Sequence, residues 1–186
     1  MNLEDNKLGD KAVKFICEGL TTNFYLRRLN LSRNFLTNLI GEPIKTVLLK
    51  NPYLAELYLH WNQIKGPGGQ KIFQGLLEND SITVFDISWN SLGGNNPSVA
   101  PIIVEVLQKN EKMVHLDLSN NYFTFEESRL ISHGLENNHT IYGFHFIGNY
   151  GYVDSKGFLI VPEKAQKELS GMHSKHRISG WNFKGS

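Results

Sequence analysis

Asparagine returns along this chain on a fixed period. Asn6, Asn34, Asn62, Asn90, Asn121 and Asn149 are separated by 28, 28, 28, 31 and 28 residues. A second set, Asn23, Asn51, Asn79, Asn110 and Asn138, steps by 28, 28, 31 and 28. Isoleucine keeps the same phase at Ile16, Ile44, Ile72, Ile103 and Ile131, and leucine does so at Leu20, Leu48, Leu76, Leu107 and Leu135. All four columns share one three-residue insertion at the same place, as only a true internal repeat would. A period of this length means stacked supersecondary units, each burying its apolar face on its neighbours.

Each unit has two halves. The first reads Leu26-x-x-Leu29-x-Leu31-x-x-Asn34-x-Leu36, and the pattern returns from Leu54 to Ile64, from Ile82 to Leu92 and from Met113 to Phe123. Alternating apolar residues have the period of a short strand with one buried face. The asparagine then ends the strand, where a buried amide can pair backbone groups of the turn that would otherwise be left unsatisfied. The second half has helical spacing. Ile72, Phe73, Leu76 and Leu77 form one apolar stripe, Ile16, Cys17 and Leu20 another, and Ile102, Ile103, Val106 and Leu107 a third. Helix starts are expected at Gly9-Asp10, Glu42-Pro43, Pro67-Gly68-Gly69 and Pro97-Ser98, since proline is tolerated in a first turn.

This L-x-x-L-x-L-x-x-N-x-L pattern, followed by a full helix in about 28 residues, resembles the ribonuclease-inhibitor type of leucine-rich repeat. The resemblance covers residues 1 to about 150. It implies an α/β solenoid, or horseshoe, with parallel strands on the concave face and helices on the convex face. It also implies a scaffold or inhibitor that grips a partner protein. A minority of the class, such as the GTPase-activating protein for Ran, stimulate a GTPase instead.

Composition narrows the function classes. Nineteen basic and eighteen acidic residues leave a formal net charge of +1 over 186 residues, so no broad basic field draws the chain to nucleic acid or anionic lipid. The longest apolar runs are far short of the roughly 20 residues of a membrane span. A single cysteine, Cys17, excludes an internal disulfide and any multi-cysteine zinc site, and it falls on an apolar helix stripe as a core thiol. The N-terminus has no basic and apolar leader pattern, so a cytoplasmic or cytoskeleton-associated setting is expected.

The repeats are expected over 1–161 and a C-terminal cap or tail over 162–186. Met1 stands where the first leucine of a strand belongs, so Leu3, Leu8, Val13, Ile16 and Leu20 are expected to face nothing. Missing upstream repeats or another chain packed on this end would each cover them. At the other end a weak helical turn is expected over Asp154–Leu159, and a short helix from Glu163 to Ser170 with Trp181 and Phe183 as the cap.

Candidate site residues come from the x positions, which the strand period points outward. The central column is Asn30, Tyr58, Asp86, Asp117 and His145, preceded by Arg28, Glu56, Val84, His115 and Gly143 and followed by Ser32, His60, Ser88, Ser119 and Ile147. Just before the asparagines stand Arg33, Trp61, Trp89, Asn120 and Gly148. Trp61 and Trp89 should lie roughly 5 Å apart at the rim, as partner anchors or as rings sealing the loops. Tyr58, Trp61, Asp86, Trp89, His115 and Asp117 are thus the expected partner-binding residues. Asp86, Asp117, His115 and His145 gather on the C-terminal half of the sheet, yet no His-x-x-x-His spacing supports a metal site and no cofactor is expected. Lys65–Lys71 lacks the phosphate-loop pattern and falls where each repeat turns into its helix. The insertion Gly93–Pro97 widens one loop on a surface that in solenoids sometimes carries recognition.

Three functions follow as expectations. The first is a non-catalytic protein-binding scaffold acting through the concave sheet and the Trp61–Trp89 rim. The second is GTPase activation of the Ran-activating type, for which Arg33 is a presented arginine without a supporting motif. The third is a structural subunit of a cytoskeletal or axonemal assembly.

Overall fold

A computed structural model describes residues 1–94 and 99–163, so the expected helix from Glu163 to Ser170 past its first residue, Trp181, Phe183, the expected helix start at Pro97-Ser98 and part of the Gly93–Pro97 insertion lie outside the described residues. Five strands, β1 (Arg28–Asn30), β2 (Glu56–Tyr58), β3 (Val84–Asp86), β4 (His115–Asp117) and β5 (Gly143–His145), form one parallel sheet in sequence order. Helices α1 (Gly9–Leu20), α2 (Gly41–Lys50), α3 (Gly66–Leu77), α4 (Val99–Lys109) and α5 (Phe125–Glu136) alternate with them. The register is in phase with the repeat: Leu29 pairs with Leu57, Leu57 with Phe85, Phe85 with Leu116 and Leu116 with Phe144. One column of the sequence is therefore one row across the sheet.

The core lies between sheet and helices. Leu29, Leu31, Leu57, Leu59, Phe85, Ile87, Leu116 and Leu118 come from the strand side, and Ile44, Ile72, Ile103 and Ile131 from the helices, all fully or almost fully buried. The two asparagine columns run along the two ends of the strands as polar ladders. In the first, Asn90 Nδ2 donates to the carbonyls of Leu59, Ile87 and Ser88, while its oxygen accepts from Ile64 N. Each amide thus ties its own turn to the repeat before it. In the second, Nδ2 of Asn51, Asn79, Asn110 and Asn138 donates to Leu20, Leu48, Leu76 and Leu107 at 2.7–2.8 Å. Those leucines stand in the last turns of the preceding helices, whose carbonyls have no partner within the helix.

Both ends differ from expectation. Val13, Cys17 and Leu20 are buried against the next repeat, and Leu3, Leu8 and Ile16 are partly buried against the same core. A stub of strand accounts for part of this: Leu3 N donates to Asn30 O at 2.9 Å and Asn30 N to Met1 O at 3.0 Å. At the C-terminal end the expected helical turn over Asp154–Leu159 is instead an antiparallel hairpin of β6 (Tyr152–Val153) and β7 (Leu159–Ile160). Asp154 sets the turn, because its Oδ1 accepts from the amides of Lys156 and Phe158 and so competes with helical bonding. Gly151 admits the hairpin: at φ +112°, a Cβ there would sit 2.7 Å from the Ile160 carbonyl oxygen.

Candidate functional site

The sheet face carries polar side chains arranged by the same register. Arg28 and Glu56, paired across β1 and β2, make a two-point ion pair at 2.5 and 2.9 Å, and Tyr58 Oη donates to the same carboxylate. The arginine holds the Glu56 carboxyl below its usual range. Burial and the hydrogen bond to Glu56 together push the Tyr58 phenol up. Tyr58 is therefore half-buried and tied to its neighbours.

His60 stands in the column that follows the central one. Its Nδ1 lies 3.0 Å from Asp86 Oδ2 and 2.9 Å from Ser32 Oγ, and its Nε2 lies 3.6 Å from Glu4. One imidazole thus joins four consecutive repeats. The hydrogen bond that its ring N–H donates to Asp86 raises its pKa against the opposing cost of burial, and the Asp86 and Glu4 charges add to the rise. Burial alone would raise the Asp86 carboxyl, but hydrogen bonds from His60 and Ser88 hold it below its ordinary value. Only the tertiary register reveals this bridge, since Asp86 reaches His60 along a diagonal from the neighbouring strand.

Serine, histidine and aspartate in contact invite comparison with a nucleophilic relay, and the geometry rejects one. A relay needs the carboxylate on Nδ1 and the hydroxyl on Nε2, so that one nitrogen is oriented and the other takes the proton. Here both partners meet the same nitrogen, and Ser32 is fully buried. Ser88 and Ser119 are buried as well, so the serines of the column that follows the central one are not presented to solvent as the strand period suggested, whereas Ile147 is exposed and His60 partly so. The chain turns inward there to reach the buried asparagine.

The carboxylate and imidazole set on the C-terminal half also separates. Asp86 turns to His60 and Ser88, while His115 and His145 tilt together with ring centroids 4.8 Å apart. Asp117 Oδ1 accepts from Ser119 N, and Oδ2 has no hydrogen-bond partner among the described residues. Among those residues no group of three or more His, Cys, Asp or Glu side chains is placed to hold a metal ion. On the helical side, a groove of about 760 Å³ runs between α1 and α2. It reaches Cys17, whose thiol burial pushes up to about 12, leaving it protonated and unreactive near neutrality.

The rim is where the side chains depart furthest from what the repeat requires. Arg33, Trp61, Trp89 and Asn120 all have φ between 52° and 57°, and Gly148 has φ +77°. The slot before each asparagine is thus left-handed, a conformation suited to glycine or asparagine. Tryptophan there costs about 1–2 kcal/mol per residue. The two indoles stack with centroids 4.1 Å apart and planes within 9°, and the Arg33 guanidinium lies over Trp61 at 5.0 Å. An exposed aromatic pair and one cation–π contact contribute together about 1–2.5 kcal/mol. Over two tryptophans the backbone cost is about 2–4 kcal/mol, so the stack recovers only part of it and leaves the fold no net gain. Both tryptophans remain 44% exposed.

Comparison with known proteins agrees with this geometry. Leucine-rich repeat family profiles match residues 50–73, and again residues 25–46 and 112–138. No curated protein matches the sequence. Among solved structures, leiomodin-1 actin-binding site 2 superposes with a TM-score of 0.60 at 17% identity, covering 94% of this chain and 87% of that one. The Caenorhabditis elegans tropomodulin C-terminal domain does so with a TM-score of 0.62 at 14% identity, covering 74% and 81%. At such identities the likeness is one of fold. Repeat pattern, in-phase parallel sheet and profile matches agree: the chain is a leucine-rich repeat protein with repeats of the long, ribonuclease-inhibitor-like kind.

Proposed function

We propose that this protein is a non-catalytic protein-binding module. Its docking surface is the sheet face with Tyr58, Asp86, His115 and Asp117, together with the rim stack of Trp61 and Trp89. One observation carries the reading: two half-exposed tryptophans stand in left-handed slots where the fold gains little from them. Large aromatics held rigid on a surface are the usual anchors of interfaces, because they lose little freedom on binding. The first purified partner to try is actin, since the solved leiomodin-1 structure of the same fold is described as an actin-binding site. That likeness also favours a cytoskeleton-associated setting.

Arg33 speaks against the GTPase-activating alternative. It is stacked on Trp61 and lies 3.6 Å from Glu4, engaged with its own chain. The test of the docking surface is quantitative affinity capture with wild-type protein, Trp61→Asn, Trp89→Asn and Asp86→Lys, followed by direct binding of purified actin. Partners that depend on the surface are depleted in all three variants. Unchanged recovery with all three overturns this placement of the site.

A further inference from the structure

The rim stack carries a cation on its Trp61 end and, among the described residues, none on its Trp89 end. Arg33, Trp61, Trp89, Asn120 and Gly148 occupy the same slot in consecutive repeats, and the register sets them side by side. Arg33 closes the outer face of Trp61. The opposite face of the pair belongs to Trp89, and among the described residues no aromatic ring or cation lies on it. Asn120, next in the row, leans away: a Cβ on Gly148 would fall on the Asn120 side-chain oxygen, so the amide is laid over Gly148. The absence of a side chain at Gly148 gives the Asn120 amide room on the side of the row away from Trp89.

Charge points the same way. The acidic groups of this face are Glu4, Glu56, Asp86 and Asp117, and most are already engaged. Glu56 holds Arg28, Glu4 lies near Arg33 and His60, and Asp86 is bound to His60. Asp117 has no cationic partner among the described residues, and it stands three residues before Asn120 at the end of β4. It is half-buried, where a charge pair is screened less than in open water.

From this geometry we infer that the open face of Trp89 receives an arginine side chain of the protein partner, stacked over Asn120 and Gly148 and neutralised by Asp117. The chain's own Arg33 is the template, since it makes the same contact on the other end of the same stack. A guanidinium suits the slot better than an ammonium, because its plane can lie on the indole while its edge donates to the carboxylate. The inference rests on the docking surface proposed above and names what that surface recognises.

The test is an NMR titration of the ¹⁵N-labelled protein with the peptide acetyl-Gly-Arg-Gly-amide, beside the same peptide carrying glutamine. The arginine peptide is expected to shift the Trp89 indole and the Asn120 and Gly148 amides in a saturable way. The glutamine peptide should bind at least about tenfold more weakly, the loss of about 1.4 kcal/mol from the charge. Asp117→Asn should weaken the arginine peptide several-fold, and Trp89→Asn should abolish its effect while signals away from the rim stay in place. Equal shifts from both peptides, shifts elsewhere on the protein, or no saturable shift overturn the inference. If partner capture still depends on Trp61 and Trp89 while the arginine peptide fails, the arginine assignment falls and the docking surface stands. If capture ignores those residues, the docking surface itself is wrong.

Discussion

Asn62 and Asn90 are each preceded by a tryptophan, and the two adjacent columns obey opposite rules. The asparagine column is identical from repeat to repeat, turned inward and fully used: Asn90 makes four hydrogen bonds to backbone groups of two repeats. The column before it holds Arg33, Trp61, Trp89, Asn120 and Gly148, all in one left-handed conformation and none of them buried. The backbone geometry is constant in both columns, but only the first needs a particular side chain to maintain it. Freedom to vary at a fixed backbone position is what lets a repeat carry recognition.

Replacing a ladder residue should give the largest effect. Asn90→Ala strands buried donors and acceptors that the fold otherwise pairs, so a loss of about 3 kcal/mol or more is expected in urea denaturation. A loss under about 1 kcal/mol would show that water can replace the ladder, and the contrast between the columns would fail.

Trp89→Asn should divide stability from binding. Asparagine tolerates the left-handed slot, so stability should stay within about 1 kcal/mol while partner affinity falls at least about tenfold. Calorimetric melting and a direct binding assay on one preparation check both halves. A large drop in melting temperature would make the tryptophans structural.

His60 lies between these extremes, a partly exposed residue tied to the buried Ser32 and to the partly buried Asp86 and Glu4. Its folded-state pKa is raised above 6.5, so its stabilisation is fully present below that value and fades as pH rises through the raised pKa. Asp86 is lowered from 3.8, so its share is present above that value and lost as pH falls through the lowered pKa. Both contributions are therefore complete between roughly pH 4 and 6.5. His60→Gln should cost about 1 kcal/mol or less in that window and flatten the decline above it. Melting temperature against pH for both proteins measures the difference, and parallel curves would remove the bridge from the account.

The smallest effect belongs to Asn120→Gly, expected within about 0.5 kcal/mol because glycine accepts the slot's φ without strain. The same change one residue later, at Asn121, removes buried bonds to Ile87, Leu118 and Ser119 and should resemble Asn90→Ala in denaturation. Similar outcomes at the two neighbours would erase the distinction between the columns.

The architecture was legible in the repeat columns alone. Asparagine and leucine columns in one phase set strand register, helix position and repeat number, because each unit packs only on its neighbours and local pattern propagates without long-range choices. The sequence also placed Trp61 and Trp89 side by side, since a 28-residue step is one strand spacing. What it missed depended on contacts off the repeat axis. The diagonal His60–Asp86 bridge, the inward turn of Ser32 and the hairpin at Asp154 arise from side chains crossing between repeats or competing with a helix. The surroundings of Trp89 are of the same kind: Gly148 has no side chain, and the Asn120 amide is laid over it. A column states which residues are neighbours; only the packed structure decides which way each one turns.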